Sequence, residues 1–260
     1  MAALIGIALL LAPALLPASA TAVAAAEPVT SGVVRSVVDG DTLVLDSGVQ
    51  VRLVGIQAPK LPLGRRNFQA WPLAHEARAA LAALTLKKPL TLTYTGRRID
   101  RHGRLLAHLR DADGQWIQGI LLARGMARVY TFPDNRGRAA EMLSRERQAR
   151  AARRGIWGHP FYRVLTPDRT GRFTNTFQLV EGRVLAAALV RGRGYLNFGP
   201  DWKTDFTVTV APRNMRRFRG RGEAIRAFEG RRVRVRGWIK SFNGPMIEAT
   251  HPEQIELISP

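Results

Sequence analysis

The sequence predicts a mainly β, α+β chain built as two successive small β-barrels. Two observations carry this. Short alternating or apolar runs, bounded by turn residues, recur in both halves of the chain, and each half sets a helix-like segment between its third and fourth runs. Five strands with a helix after the third is the strand order of a small Greek-key barrel.

In the first half, Gly32–Val38, Thr42–Leu45 and Val49–Ile56 read as three antiparallel strands. An Ala/Leu-rich helix spans about Ala74–Leu84, and Pro89–Thr95 and Arg104–Arg110 supply two more strands. A second helix covers about Trp116–Arg124 and stops at Gly125; a third follows Pro133-Asp134-Asn135, where Asp or Asn can cap, and runs to about Arg153. In the second half, Gln178–Leu189, Tyr195–Phe198, Phe206–Val210, Arg231–Ile239 and Pro245–Thr250 read as strands, with a helical Arg-rich stretch at Asn214–Phe228. The polar, proline-containing stretch between them reads as a linker. The expected domains are therefore residues 27–159 and 176–260, with a linker at 160–175.

Residues 1–26 form an uncharged, Leu- and Ala-rich run broken by Pro13 and Pro17 and ending in small residues. This reads as an export signal, with cleavage after Ala20 or Ala26, and predicts a secreted or periplasmic protein. A basic n-region is missing, so an uncleaved anchor stays open, although the prolines disfavour a spanning helix. The chain has no cysteine, which excludes disulfides, thiolate metal sites and thiol nucleophiles.

With 40 Lys+Arg against 20 Asp+Glu, the net charge is +20, and all of it lies beyond the uncharged first 26 residues. Such an excess predicts polyanionic partners, whether DNA or RNA, another acidic polymer or an anionic membrane surface, and does not by itself choose among them. Arginine outnumbers lysine 35 to 5, which suits bidentate phosphate contact.

Four motifs carry the chemistry of the first half. They are Asp39-Gly40-Asp41-Thr42; the strand Arg52-Leu53-Val54-Gly55-Ile56-Gln57-Ala58-Pro59-Lys60; the loop Asp100-Arg101-His102-Gly103-Arg104; and the closing Arg154-Gly155-Ile156-Trp157. In this order and spacing, Gly32 to Trp157 resembles the staphylococcal nuclease (thermonuclease) family. The resemblance implies an OB-fold barrel with about three helices, and Ca2+-dependent hydrolysis of nucleic-acid phosphodiesters. Asp41 matches one of the family's metal ligands, Ala58 the backbone-carbonyl ligand, and Arg52 and Arg104 the two phosphate-binding arginines. Two positions depart from the pattern. Gln57 stands where the family has its second acidic ligand, and Lys60 stands at the general-base position.

These departures point the same way by their chemistry. Calcium takes hard oxygen ligands and gains affinity from carboxylates; an amide adds an oxygen without charge. A protonated amine cannot accept a proton, and general-base catalysis is worth about 10²–10⁴-fold. Guanidinium groups still grip phosphate without a metal. The leading expectation is therefore an exported nucleic-acid-binding protein with calcium-dependent hydrolysis lost or strongly reduced. The alternatives are an active secreted nuclease with a modified metal site, and an envelope protein that binds acidic polymers by charge. His102 reads either as an acid/base group or as a solvated loop histidine.

In the second half, Arg232, Arg234 and Arg236 alternate with valines, which predicts a strand with one buried and one basic face. With Trp202, the aromatic best placed for exposure, they are candidate contacts for single-stranded nucleic acid. Tyr195, Phe198, Phe206, Trp238 and Phe242 are further rings available for stacking or for the core. The arginines of the third helix, Arg136 to Arg154, read either as a solvated face or as a contact surface.

Overall fold

The computed structural model describes residues 29–218 and 222–258; the expected export signal lies outside them. The first strands are β1 (Ser31–Asp39), β2 (Thr42–Leu45), β3 (Gln50–Leu53), a two-residue β4 (Ile56–Gln57), β5 (Pro89–Thr93) and β6 (Leu105–Arg110). Taken in the order β1-β2-β3-β6-β5, five of them close into a barrel, antiparallel except at the β3–β6 seam. This is the expected OB-type barrel. Closure depends on β1, which pairs with β5 through Ser31–Val33 and with β2 from Val34 onward. Register shifts between Val34 and Ser36, and again between Val37 and Asp39, supply the bend that lets one strand serve two neighbours.

Helix α1 (Ala74–Thr85) buries Ala74, Ala77, Leu81 and Thr85, a single helical stripe that seals the barrel. After α2 (Ile117–Ala123), the short β7 (Arg128–Val129) pairs with β4, and α3 (Ala139–Ala151) packs across α2 and β7. The Gly155-Ile156-Trp157 motif then closes the unit. Gly125 and Gly155 both have positive φ, and a Cβ on either would meet the other segment's carbonyl oxygen at 2.0 or 2.2 Å. Only glycine permits that approach, which seats fully buried Ile156 against the end of α2 through its N–H bond to the Gly125 carbonyl.

The stretch expected as a linker is packed. Short 3-10 turns at Pro160–Tyr162, Pro167–Arg169 and Gly171–Phe173 fill it, the Tyr162 hydroxyl donates to the Pro72 carbonyl, and Leu165 exchanges backbone bonds with the strand that follows.

The second unit has its own core and is a seven-stranded mixed sheet in which, among the described residues, no pairing joins the two ends, where a second closed barrel was expected. Its strands are β8 (Phe177–Arg183), β9 (Ala186–Val190), β10 (Arg193–Asn197), β11 (Thr207–Val210), β12 (Arg232–Ser241), β13 (Pro245–Glu248) and β14 (Ile255–Leu257), with short helices α4 (Pro212–Met215) and α5 (Gly222–Arg226) before β12. Seven described strands replace the expected five for two local reasons. The run from Gln178 to Leu189 breaks at Val184-Leu185 into β8 and β9, and Ile255–Leu257 adds a strand along β12. Ten-residue β12 organises the unit. It pairs with β8 along most of its length, with β14 near its start and with β13 at its end.

The two units meet through a buried charge cluster. The inner stripe of α3 is apolar except for Glu146, which is fully buried. Its carboxylate accepts from both Nη atoms of Arg236 on β12 at 2.9 and 3.0 Å, from Arg150 at 2.9 Å and from the Val129 N–H at 2.5 Å. Arg236 also pairs with Glu256. Burial opposes both charges, but each holds the other ionised, so the Glu146 carboxyl is lowered and the Arg236 guanidinium raised. Arg236 is therefore no nucleic-acid contact: the face expected to be basic and solvated is covered by α3 at that residue. The arginines of α3 are largely committed as well, Arg138 and Arg145 to Glu141 and Arg147 to Glu256.

Removing one partner of a buried pair costs about 3–5 kcal/mol, so Glu146→Ala should lose about that much in urea unfolding. A pH effect also follows. Burial, reinforced by Arg136, holds His251 down to about 4, and burial with Arg138 does the same for His108. Both are neutral in the fold but protonate near 6.5 when unfolded, so stability is full above about 6.5 and falls towards about pH 4. Urea midpoints should decline over that window, and the slope should be shallower in His251→Asn.

Candidate functional site

The β1–β2 turn carries Asp39 and Asp41 inward. Gly40 between them has no room for a side chain: a Cβ would lie 2.6 Å from that of Ala58 and 2.8 Å from that of Ala77. This close seating drives both acids beneath the surface, with Asp39 at 4% and Asp41 at 0% exposure. Asp39 accepts from the Asp41 N–H at 3.1 Å, and Asp41 Oδ2 accepts from the Ala58 N–H at 2.7 Å.

Two adjacent buried carboxylates require compensation, and two cations supply it. Lys60 Nζ lies 2.9 and 2.8 Å from the two oxygens of Asp41 and 3.5 Å from Asp39 Oδ2; Arg52 Nη2 lies 3.2 Å from Asp41 Oδ2. The formal charges cancel. Burial works against ionisation of Asp41, but Arg52 and Lys60 prevail and hold its carboxyl far below the usual range. Asp39 moves the other way, raised by burial and by the charge on Asp41.

Arg52 spends much of its fork on the backbone, donating to the Leu53 and Ile56 carbonyls at 2.7 Å each. Arg104 is fixed by Asp100, through Nε at 2.8 Å and Nη2 at 2.7 Å. The same carboxylate accepts from the His102 and Arg104 N–H groups, and Gly103 takes the positive φ that the turn demands. Burial opposes the Asp100 charge, yet these bonds lower its pKa.

Between the β3–β4 turn, the Asp100–Arg104 loop and the segment after β7 lies a cleft of about 470 Å³. Arg52, Lys60, Arg97, Arg101 and Arg104 line it, against the carboxylates of Asp100 and Asp134. Arg52, Lys60 and Arg104, separated in the sequence, thus share one cleft with Asp41 behind them. His102 is exposed on its rim and accepts from Arg101 Nε at 3.1 Å.

Gln57 does not join this group. Its Oε1 accepts from Arg128 Nε and Nη2 at 2.9 and 2.7 Å, so the expectation of Gln57 as a metal ligand is corrected by a buried arginine that takes its oxygen. Arg128 is opposite Gln57 in the β4–β7 ladder, and burial pushes its guanidinium down to about 10. Ala58 meets Asp41 through its N–H. Calcium does not fit this donor set, because an ammonium group already holds both Asp41 oxygens, and no cluster of three or more His, Asp or Glu suited to a metal occurs among the described residues.

The candidates in the second unit do not gather into one site. Trp202 is 56% exposed in the β10–β11 turn with Lys203 near its ring, whereas Arg232 and Arg234 both pair with Glu181 and Arg234 is largely covered. Sequence reasoning also missed the cleft roles of Arg97, Arg101, Tyr130 and Phe132. Arg101 lay within the Asp100–Arg104 motif without a role assigned to it, whereas the neighbours of Arg97, Tyr130 and Phe132 come from distant segments and no local pattern marks those three.

An OB barrel whose arginine-rich cleft lies in front of the buried acids of its β1–β2 turn, linked to them through Arg52 and Lys60, defines a nuclease-like protein. Comparison with known proteins agrees. The family described as "Staphylococcal nuclease homologue" matches residues 50–159. An "Uncharacterized endonuclease" of Escherichia coli is 33% identical over 129 residues, covering 48% of this chain and 76% of that protein. A "Micrococcal nuclease" of Shigella flexneri is 34% identical over 140 residues, covering 50% and 74%. The chain belongs to the staphylococcal nuclease family.

Because Lys60 already neutralises Asp41, millimolar calcium should leave the melting temperature unchanged. In Lys60→Glu, which gathers three carboxylates, calcium should raise it, since a ligand that binds only the folded state stabilises it.

Proposed function

We propose that this is an exported nuclease homologue that binds nucleic-acid phosphodiesters in the Arg52–Arg104 cleft without calcium and no longer hydrolyses them by the calcium-dependent route. The observation that carries the reading is the Lys60 ammonium, within 2.9 Å of both Asp41 oxygens. Relative to the family pattern, Gln57 removes one negative charge, and Lys60 replaces a negative charge with a positive one. Together these changes stand in for much of a divalent ion's field. At about 4 Å and an effective dielectric near 20, one unit charge pair is worth about 4 kcal/mol before desolvation, so a fixed ammonium can carry part of the electrostatic work of a metal. The amine is unsuited to the base role of the residue it replaces. The cleft's guanidinium groups supply the grip on phosphate.

The test incubates the purified chain with single- and double-stranded DNA and RNA, in calcium or in chelator. Binding in chelator with no calcium-stimulated cleavage is expected. Arg104→Ala should weaken nucleotide binding about tenfold, in line with about 1.5–3 kcal/mol for a hydrogen bond to a charged group, and Lys60→Glu should weaken it at least as much. Digestion that stops in chelator and in Asp41→Ala would overturn the reading in favour of an active enzyme with a modified metal site. Indifference of binding to Lys60→Glu would overturn the metal-replacement role.

A further inference from the structure

Tyr130 and Phe132 line the wall of the cleft towards the second unit. Their rings meet edge to face, with centroids 4.9 Å apart, and Phe177 of β8 closes on Tyr130 from the other side at 4.8 Å. Trp238 of β12 extends this cluster beyond the family-matched region: its Nε1 donates to the Tyr130 hydroxyl at 3.0 Å, and its ring meets Phe177 at 6.5 Å. Phe177 is core, but Phe132 is 48% and Trp238 45% exposed. Two residues beyond Trp238, on the same face of β12, Lys240 is also exposed, in a long ion pair with Glu248 at 3.6 Å. A line of partly open rings therefore leaves the basic cleft, crosses the domain junction and reaches another cation.

We propose that Phe132 and Trp238, joined through Tyr130, form a base-stacking track that carries single-stranded nucleic acid out of the phosphate cleft and across the second unit. The inference rests on the reading of the cleft as a phosphodiester site. Charge complementarity selects the occupant, because the rings begin at a cleft lined by five cations against two carboxylates and end beside the exposed Lys240, paired only loosely with Glu248. Strand number follows from the chemistry. Stacking needs free base faces, which a duplex hides, and each stacked base contributes about 1–3 kcal/mol whatever its identity. The buried Arg236–Glu146 pair keeps the track in register, since it fixes β12 against α3 two residues before Trp238.

The experiment measures binding of a thymidine dinucleotide, a single-stranded thymidine decamer and a duplex of equal length to the full chain in chelator. Wild type should hold the decamer at least about tenfold more tightly than the dinucleotide. Trp238→Ala should remove most of that gain without changing dinucleotide affinity; Trp238→Phe should keep most of it. Phe132→Ala, which leaves the domain junction intact, should weaken the decamer about fivefold or more. Duplex affinity should not respond to Trp238. Unchanged decamer affinity in both alanine variants would overturn the track, as would an equal loss for dinucleotide and decamer in Trp238→Ala, which marks damage at the junction. A decamer bound through Trp238 by a protein that does not bind the dinucleotide would overturn the cleft reading and leave the stacking track standing. Failure to bind either ligand would overturn both.

Discussion

Two carboxylates buried side by side need compensating positive charge or a retained proton, and the cleft region is arranged around that constraint. Asp39 and Asp41 are forced inward by the Gly40 turn packed on Ala58 and Ala77. Arg52 comes from β3 and Lys60 from the segment after β4, and both must reach the acids for the turn to be stable where it is. The family meets the same demand with a metal ion. Here the tethered ammonium of Lys60, with Arg52, meets it, so the charge balance around Asp41 is part of the fold.

A similar exchange of charge joins the two units. Glu146 interrupts an otherwise apolar helix stripe, and Arg236 interrupts the alternating strand β12; each would be intolerable alone and is satisfied by the other. A buried ion pair is geometrically demanding as well as costly to leave unpaired. It therefore fixes which residues of β12 face the nuclease-like barrel, and with them the place of Trp238 beside Tyr130.

The sequence by itself determined the barrel. Alternation and turn residues gave the five strands and the three helices of the first half to within a few residues, because those signals are local and the core is made by them. It also determined the chemistry available at the site, since an amide at Gln57 and an amine at Lys60 are facts of composition. Only the tertiary structure decided where those groups point. The pairing of Gln57 with Arg128 spans 71 residues, and that of Arg236 with Glu146 spans 90. No local pattern encodes such pairings, which is why Gln57 read as a ligand and Arg236 as a nucleic-acid contact. Charge fixes what a residue must find in the interior, whereas the chain's path decides which partner is there to be found.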